Sequence, residues 1–227
     1  VRWWGIDVTK VMMKPSLTQV DLLAAAETFC QGQHIHAELF GVNDGKAVGT
    51  FIEHRFLTRI AAAYEVQGGN SALGLDIPSI DTDIKVTSIR QPQSSCPFRS
   101  ARQKVYGLGY HLLLFVYEKR DDPIQKAPSS NSCIVLSLMR DVLLIYQTTR
   151  GILELLARDG NRDDLLAFLS DRNLPGDEIV HNALADEIMH TPPLLGYLTI
   201  SNALQWRLQY SRVVTLADSV EGVVKVV

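Results

Sequence analysis

No apolar run in this 227-residue chain reaches the ~18–20 residues needed to cross a bilayer as a helix. The opening stretch, VRWWGIDVTKVMMK, has neither the long apolar core nor the small-residue cleavage site of a secretory signal. It starts at Val1 rather than Met, so further residues are expected upstream. Cysteine is scarce: Cys30, Cys96 and Cys133 are odd in number and widely spaced, which predicts neither a disulfide framework nor a zinc motif. The cytoplasm is the expected location. Neither sign of charge dominates. Against 22 basic side chains stand 25 acidic ones, a net charge of −3. Wholesale polyanion binding by the surface is thereby disfavoured, whereas a local basic patch is not. There is no internal repeat at periods of ~20–50 residues and no low-complexity tract.

What is present is an ordinary globular balance, 46% apolar and 21% charged. Ser16 is placed to cap a helix from about Leu17 to Gln31, with Leu17, Val20, Leu23 and Phe29 on its apolar stripe. Asn43-Asp44-Gly45 reads as a turn before a second helix, about Ala47 to Val66, which Gly68-Gly69-Asn70 ends. Ile80, Ile84 and Val86 among alternating polar residues predict a strand from Thr82 to Ser88. Pro92 to Pro97 reads as a polar loop, and Pro97 as the first turn of a helix running to Tyr106. The apolar run His111–Tyr117 fits a strand buried on both faces. A surface loop, Asp121–Ser132, separates it from a further strand or hairpin within Cys133–Ile145. Helices are expected at Thr148–Asp159, Arg162–Asp171 and Asp177–His190. Leu204, Trp206, Leu208 and Tyr210 alternate with Gln205, Arg207, Gln209 and Ser211, which predicts a half-buried strand, with a helix as the alternative. The fold class is α/β: a central mixed β-sheet flanked by helices, with a helical C-terminal elaboration.

The segment that carries chemistry is Asp76-Ile77-Pro78-Ser79-Ile80-Asp81-Thr82-Asp83-Ile84-Lys85. Phosphodiester hydrolysis needs a divalent metal to offset phosphate charge and to lower the pKa of a bound water. Mg²⁺ takes oxygen ligands, commonly one or two carboxylates with waters and phosphate oxygens. On a strand, Asp83 and Lys85 project to the same side, with the Ile84 carbonyl between them. The Pro78-Ser79 bend can bring Asp76 back to Asp83. Two carboxylates and the Ile84 carbonyl would then hold Mg²⁺, and the Lys85 ammonium would orient or activate the attacking water.

This arrangement resembles the PD-(D/E)XK nuclease superfamily, to which many type II restriction endonucleases belong. The acid-x-Lys triplet is Asp83-Ile84-Lys85, and the first acid is best read as Asp76, with Asp81 as its competitor. The spacing of seven between Asp76 and Asp83 is similar to that of the mismatch-repair nicking endonuclease and its GATC-cutting relatives. Those also continue past the lysine with a Thr-rich strand, as Val86-Thr87-Ser88 does here. The chain departs from the pattern in having no Pro-Asp pair, since Pro78 follows Asp76. Members often carry a further acid on the preceding helix, which implies Glu53, with Glu65 as second choice. The resemblance covers about residues 45–140 and implies one nuclease domain over 1–227, elaborated from about 147 onward. It implies Mg²⁺-dependent cleavage of double-stranded DNA by a homodimer, as in a type II restriction endonuclease. A repair nicking enzyme, a junction resolvase or an inactive DNA-binding relative are the alternatives.

The flanks are consistent with nucleic acid. From Lys85 to Arg120 seven basic residues stand against one acid, Glu118. Arg90, Gln91, Gln93, Ser94 and Ser95 follow the strand, and Arg99, Arg102 and Lys104 lie on or before the next helix. In similar restriction enzymes this region approaches DNA, and Gln and Arg suit adenine and guanine edges. The alternating Gln205, Arg207 and Gln209 form a second candidate base-reading face.

Other readings weigh less. Asp81-Thr82-Asp83 is an Asp-x-Asp, but the residues before it look helical rather than nucleotide-binding. A calcium loop fails because its sixth position is Val86 instead of glycine. His34-x-His36 lacks a matching third ligand, Glu187 and His190 suit a solvated helix face, and Cys96 has no nearby His for nucleophilic work. Trp3 and Trp4 suit packing better than base stacking.

Overall fold

The computed structural model describes residues 14–32, 36–66, 74–124, 127–201 and 207–227. The expectations for Trp3, Trp4, His34, Gln205 and the Gly68-Gly69-Asn70 helix end lie outside them. Two N-terminal helices form where periodicity places them, but with different caps. Helix α1 (Gln19–Gln31) is capped by Thr18, which exchanges side-chain bonds with Asp21 in a capping box. Ser16, two residues earlier, instead bridges to Glu65. Helix α2 (Gly45–Ala63) starts two residues early because Asp44 is its cap, accepting from the Lys46 amide at 3.0 Å.

Strand β1 (Thr82–Ser88) has the expected bounds. Strands β3 (His111–Asp122) and β4 (Ala127–Leu138) form a long antiparallel hairpin. The supposed loop at 121–132 is therefore mostly strand. Its polar composition misleads because both strands carry unbroken polar runs at the hairpin's far end, with a register irregularity at Arg120/Asp121. After Leu138 the chain leaves the sheet, so the stretch to Ile145 is not a further hairpin. The sheet order is β1-β3-β4-β7, with β7 spanning Val223–Lys225. β1 runs parallel to β3 and the other pairs are antiparallel, so the sheet is mixed.

β3 is buried on both faces, as its unbroken apolar run requires. Leu113 and Phe115 face α1 and α2, meeting Leu22, Phe56 and Ile60. Leu112, Leu114 and Val116 face the C-terminal elements, meeting Leu208, Tyr210 and Val213. Cys30 and Cys133 are joined as a single disulfide between α1 and β4, where the sequence predicts no disulfide framework. Spacing along the chain hid this pair, because their 103-residue separation says nothing of contact.

A second, three-stranded sheet has the order β2-β6-β5, from β2 (Gln93–Ser95), β5 (Thr199–Ser201) and β6 (Arg207–Gln209). The expected polar loop thus contains a strand. Helix α3 (Ala101–Tyr106) is capped by Ser100 with Gln103, so Pro97 precedes the helix instead of opening it. Three C-terminal helices, α4 (Tyr146–Leu156), α5 (Arg162–Asp171) and α6 (Glu178–His190), pack with α3 around Ile152, Leu169 and Ile188. A short helix, α7 (Ser211–Leu216), precedes β7. No helix among the described residues is long and apolar enough to cross a membrane.

Candidate active site

The site is built by a chain reversal ahead of β1. Ile77 and Thr82 pair as an antiparallel bridge, with amide-to-carbonyl distances of 3.0 and 3.2 Å. The 3₁₀ turn Pro78–Ile80 makes the bend, and Asp81 closes it in the left-handed region at φ 46°. Asx side chains tolerate that conformation better than most residues do. Gln19 of α1 holds the turn, donating to the Ile80 carbonyl at 2.8 Å and to Thr82 Oγ1 at 2.7 Å.

The reversal sets Asp76 beside the middle of β1. Its Oδ2 accepts from the Ile84 amide at 2.8 Å, and its carboxyl is hydrogen-bonded to Asp83. Asp83 is 3% exposed. Burial, helped by the hydrogen bond and charge of Asp76, pushes its carboxyl up to about 7, although Lys85 opposes the shift. Lys85 Nζ lies 2.5 Å from Asp83 Oδ2 and donates to the Ile84 carbonyl at 3.0 Å. Glu53, from α2, comes near enough to feel both Asp76 and Lys85. Partial burial raises its carboxyl first, and the charge of Asp76 adds to this.

Asp81 goes elsewhere. Its side chain is 58% exposed and faces Arg140 at 3.6 Å. As the last residue of the reversal it turns away from Asp83, whereas Asp76 enters. Glu65 is also removed: its amide bonds the Pro15 carbonyl at 2.9 Å at the far end of α2.

Among the described residues no group of three or more His, Cys, Asp and Glu side chains forms a metal cluster. Asp76, Asp83 and the Ile84 carbonyl could offer a cation two carboxylates and one carbonyl. That suits Mg²⁺, which keeps several waters when protein supplies few ligands. The Lys85 ammonium bridges the Ile84 carbonyl and Asp83, so the local charge here is negative enough to hold one cationic group. Two adjacent carboxyls, one of them held near neutrality by burial, are what a divalent charge would relieve.

Two tyrosines flank the acids that sequence patterning did not single out. Tyr110 precedes β3 and is pushed up by burial and by the charge of Asp83, with Arg99 opposing. Tyr210 is fully buried, and its hydroxyl meets the Ser94 hydroxyl at 2.7 Å. The parallel pairing Thr82↔His111, which places Tyr110 here, has no local signature.

The expected basic field is mostly paired off. Lys85 faces Asp83, Arg102 is bound in a fork by Glu187 of α6, Lys119 meets Asp121 at 2.6 Å, and Arg120 meets Glu118. Lys104 is 4% exposed, and burial lowers its pKa. Glu187 and Asp121 are far along the chain or just beyond the counted stretch, so local counting misses them. Arg90 and Arg99 remain exposed, as does Gln91, while Gln93 and Ser95 lie on β2.

The family model described as type II restriction enzyme NspV matches residues 16–225. The type II restriction enzyme NspV of Nostoc sp. (strain ATCC 29411 / PCC 7524) is 52% identical over 212 residues, spanning 92% of this chain and 96% of that protein. No solved structure matches the chain. With a matched region that runs through both sheets and every residue of the carboxylate site, the chain belongs to the NspV family of type II restriction enzymes.

Proposed function

We propose that this protein cleaves double-stranded DNA with Mg²⁺ at a PD-(D/E)XK-type site formed by Asp76, Asp83, Lys85 and Glu53. Endodeoxyribonuclease activity follows from membership of the restriction enzyme family. The observation that carries the site assignment is the convergence of Asp76 on Asp83, the Ile84 carbonyl and Lys85.

Asp76, Asp83 and the Ile84 carbonyl would hold Mg²⁺. When bound, the metal supplies a water of lowered pKa and offsets charge on the phosphate. The rest is done by the chain. Lys85 moves its ammonium from Asp83 toward the attacking water and the phosphate oxygens, orienting the one and stabilising charge on the others. Glu53, held above the usual carboxylate range by partial burial and Asp76, supports the water from the α2 side. Burial of Asp83 excludes bulk water, which strengthens each of these interactions.

A single domain acting as a homodimer in the cytoplasm fits this role, because a symmetric site is matched by a two-fold enzyme. The test is plasmid cleavage with and without Mg²⁺, run beside Asp83→Ala. Discrete fragments that need the metal and vanish in the folded variant are expected. Normal turnover by folded Asp83→Ala would overturn the site, and nicked circles alone would point to a nicking enzyme.

A further inference from the structure

We infer that the polar face of the small sheet β2-β6-β5 reads base edges of the DNA, with Arg207, Gln209 and Gln93 as its specificity-determining residues. The sheet's register sets the face. Gln93, Gln209 and Thr199 lie directly opposite one another, as do Ser95, Arg207 and Ser201. Directly opposed residues share a face of a sheet. The intervening residues point the other way. Leu208 is fully buried, Ile200 packs on the same core, and Ser94 bonds the Tyr210 hydroxyl. The outward face therefore consists of two amides, one guanidinium and three hydroxyls, with no acid among them.

That inventory matches base edges. Gln bonds bidentately to adenine and Arg to guanine, and hydroxyls accept or donate to either. The neighbouring strands β2 and β6, ~4.8 Å apart, form a two-stranded ribbon of the width a major groove admits, and they carry Gln93, Gln209 and Arg207. At the Ser95–Arg207 end the face borders a cleft of about 470 Å³ that Lys104 and Asn173 also line. A cationic side chain on an acid-free face suits a polyanionic ligand.

The face is fixed relative to the carboxylates. Thr87 lies on the same side of β1 as Asp83 and Lys85, since alternate strand residues share a side. Its hydroxyl accepts from the Gln93 amide at 2.9 Å and donates to the Gln93 carbonyl at 3.1 Å. Asp83 to Thr87 is four residues of strand, ~13 Å, or about four base steps along one DNA strand. The reading face thus lies within a few base pairs of the bond cleaved.

The inference rests on the DNA-cleaving reading but not on which acids hold metal. Sequencing the ends of wild-type fragments gives the recognition site. Duplexes carrying that site are then made with 7-deazaguanine or 7-deazaadenine at one position at a time, which deletes the N7 acceptor. The wild type should lose cleavage at particular positions. Arg207→Ala, which removes every donor to guanine N7, and Gln209→Ala should each lower kcat/KM on the unmodified site by roughly 5- to 150-fold. Each should also become indifferent to the analogue at one position, where the wild type is sensitive. Gln93→Ala on the neighbouring strand supplies an independent arm, and thermal melting verifies each fold. Variants that slow cleavage while keeping full analogue sensitivity would overturn the inference, as would a wild type indifferent to every N7 deletion. If the wild type cuts no DNA at all, the underlying reading fails instead.

Discussion

The carboxylate of Asp76 accepts a 2.8 Å hydrogen bond from the backbone amide of Ile84, the residue between Asp83 and Lys85. One side chain thus serves the strand's backbone and the candidate metal site together. Asp76→Asn keeps an oxygen for the amide and loses the charge. Its stability should stay near that of the wild type, while cleavage falls at least ~100-fold, about 2.7 kcal/mol in the barrier. Asp76→Ala also leaves the Ile84 amide without its partner, at a cost of about 1–3 kcal/mol in thermal or denaturant unfolding. Equal stability of the two variants would show that the bond does not support the strand.

The stability that Asp83 contributes to the metal-free protein should be lost as pH rises from about 4 to about 7. The Asp83 carboxyl is pushed from the ordinary 3.8 of an unfolded chain to about 7 in the fold, so the native state holds the extra proton over that interval. Glu53 shifts in the same direction. The Asp83 contribution is gone at pH 8 and largely present at pH 5; His111, whose pKa is lowered by burial, works in the opposite sense, and Asp83→Asn should remove the Asp83 part of the slope. Mg²⁺ should restore stability at pH 8 more than at pH 5, because it binds the ionised form, and chelation should reverse the gain. Melting curves at both pH values, with and without metal, check this.

Arg102 and Arg99 should behave differently toward DNA, although they are neighbours in sequence. Arg102 is forked onto Glu187, whereas Arg99 is exposed beside Tyr110. Arg99→Ala and Arg90→Ala should each reduce the salt slope of DNA binding by about 1. Arg102→Ala should leave that slope alone and change stability by less than about 1 kcal/mol, as exposed pairs do. Binding titrations across a salt series separate the two roles.

Phe56→Ala should cost about 3–5 kcal/mol. Phe56 is fully buried, and its ring stacks edge-on with Phe115 of β3 at 4.9 Å and with Phe29 of α1 at 5.3 Å. It joins both N-terminal helices to the central strand. A loss below 1 kcal/mol in denaturant unfolding would mean that the cluster is not a shared core.

Asn161→Ala should cost about 0.5–2 kcal/mol, because Asn161 accepts from the amides of Asp163 and Asp164 at 2.8 and 3.1 Å. Ser16→Ala should cost less than Thr18→Ala, since Thr18 is the residue that caps α1. Paired melting of the two variants decides which hydroxyl caps the helix.

Local pattern alone determined the elements whose periodicity is unbroken. Strand β1 has its expected bounds because Ile84 and Val86 alternate with polar residues, and α5 has its expected bounds because Asn161 and Asp164 cap it. The Asp83-x-Lys85 geometry was legible for the same reason, a period of two on one strand. Tertiary structure decided everything that depends on distant partners. It turned Asp81 outward and Asp76 inward, because a left-handed residue closes the reversal. It paired Arg102 of the basic stretch with Glu187, and it paired Cys30 with Cys133. It also made a sheet of three-residue strands from Gln93, Arg207 and Thr199. The alternation around Leu208 and Tyr210 marked β6, but β2 has too few residues for a period of its own, and only its hydrogen bonds to β6, more than a hundred residues away, define it.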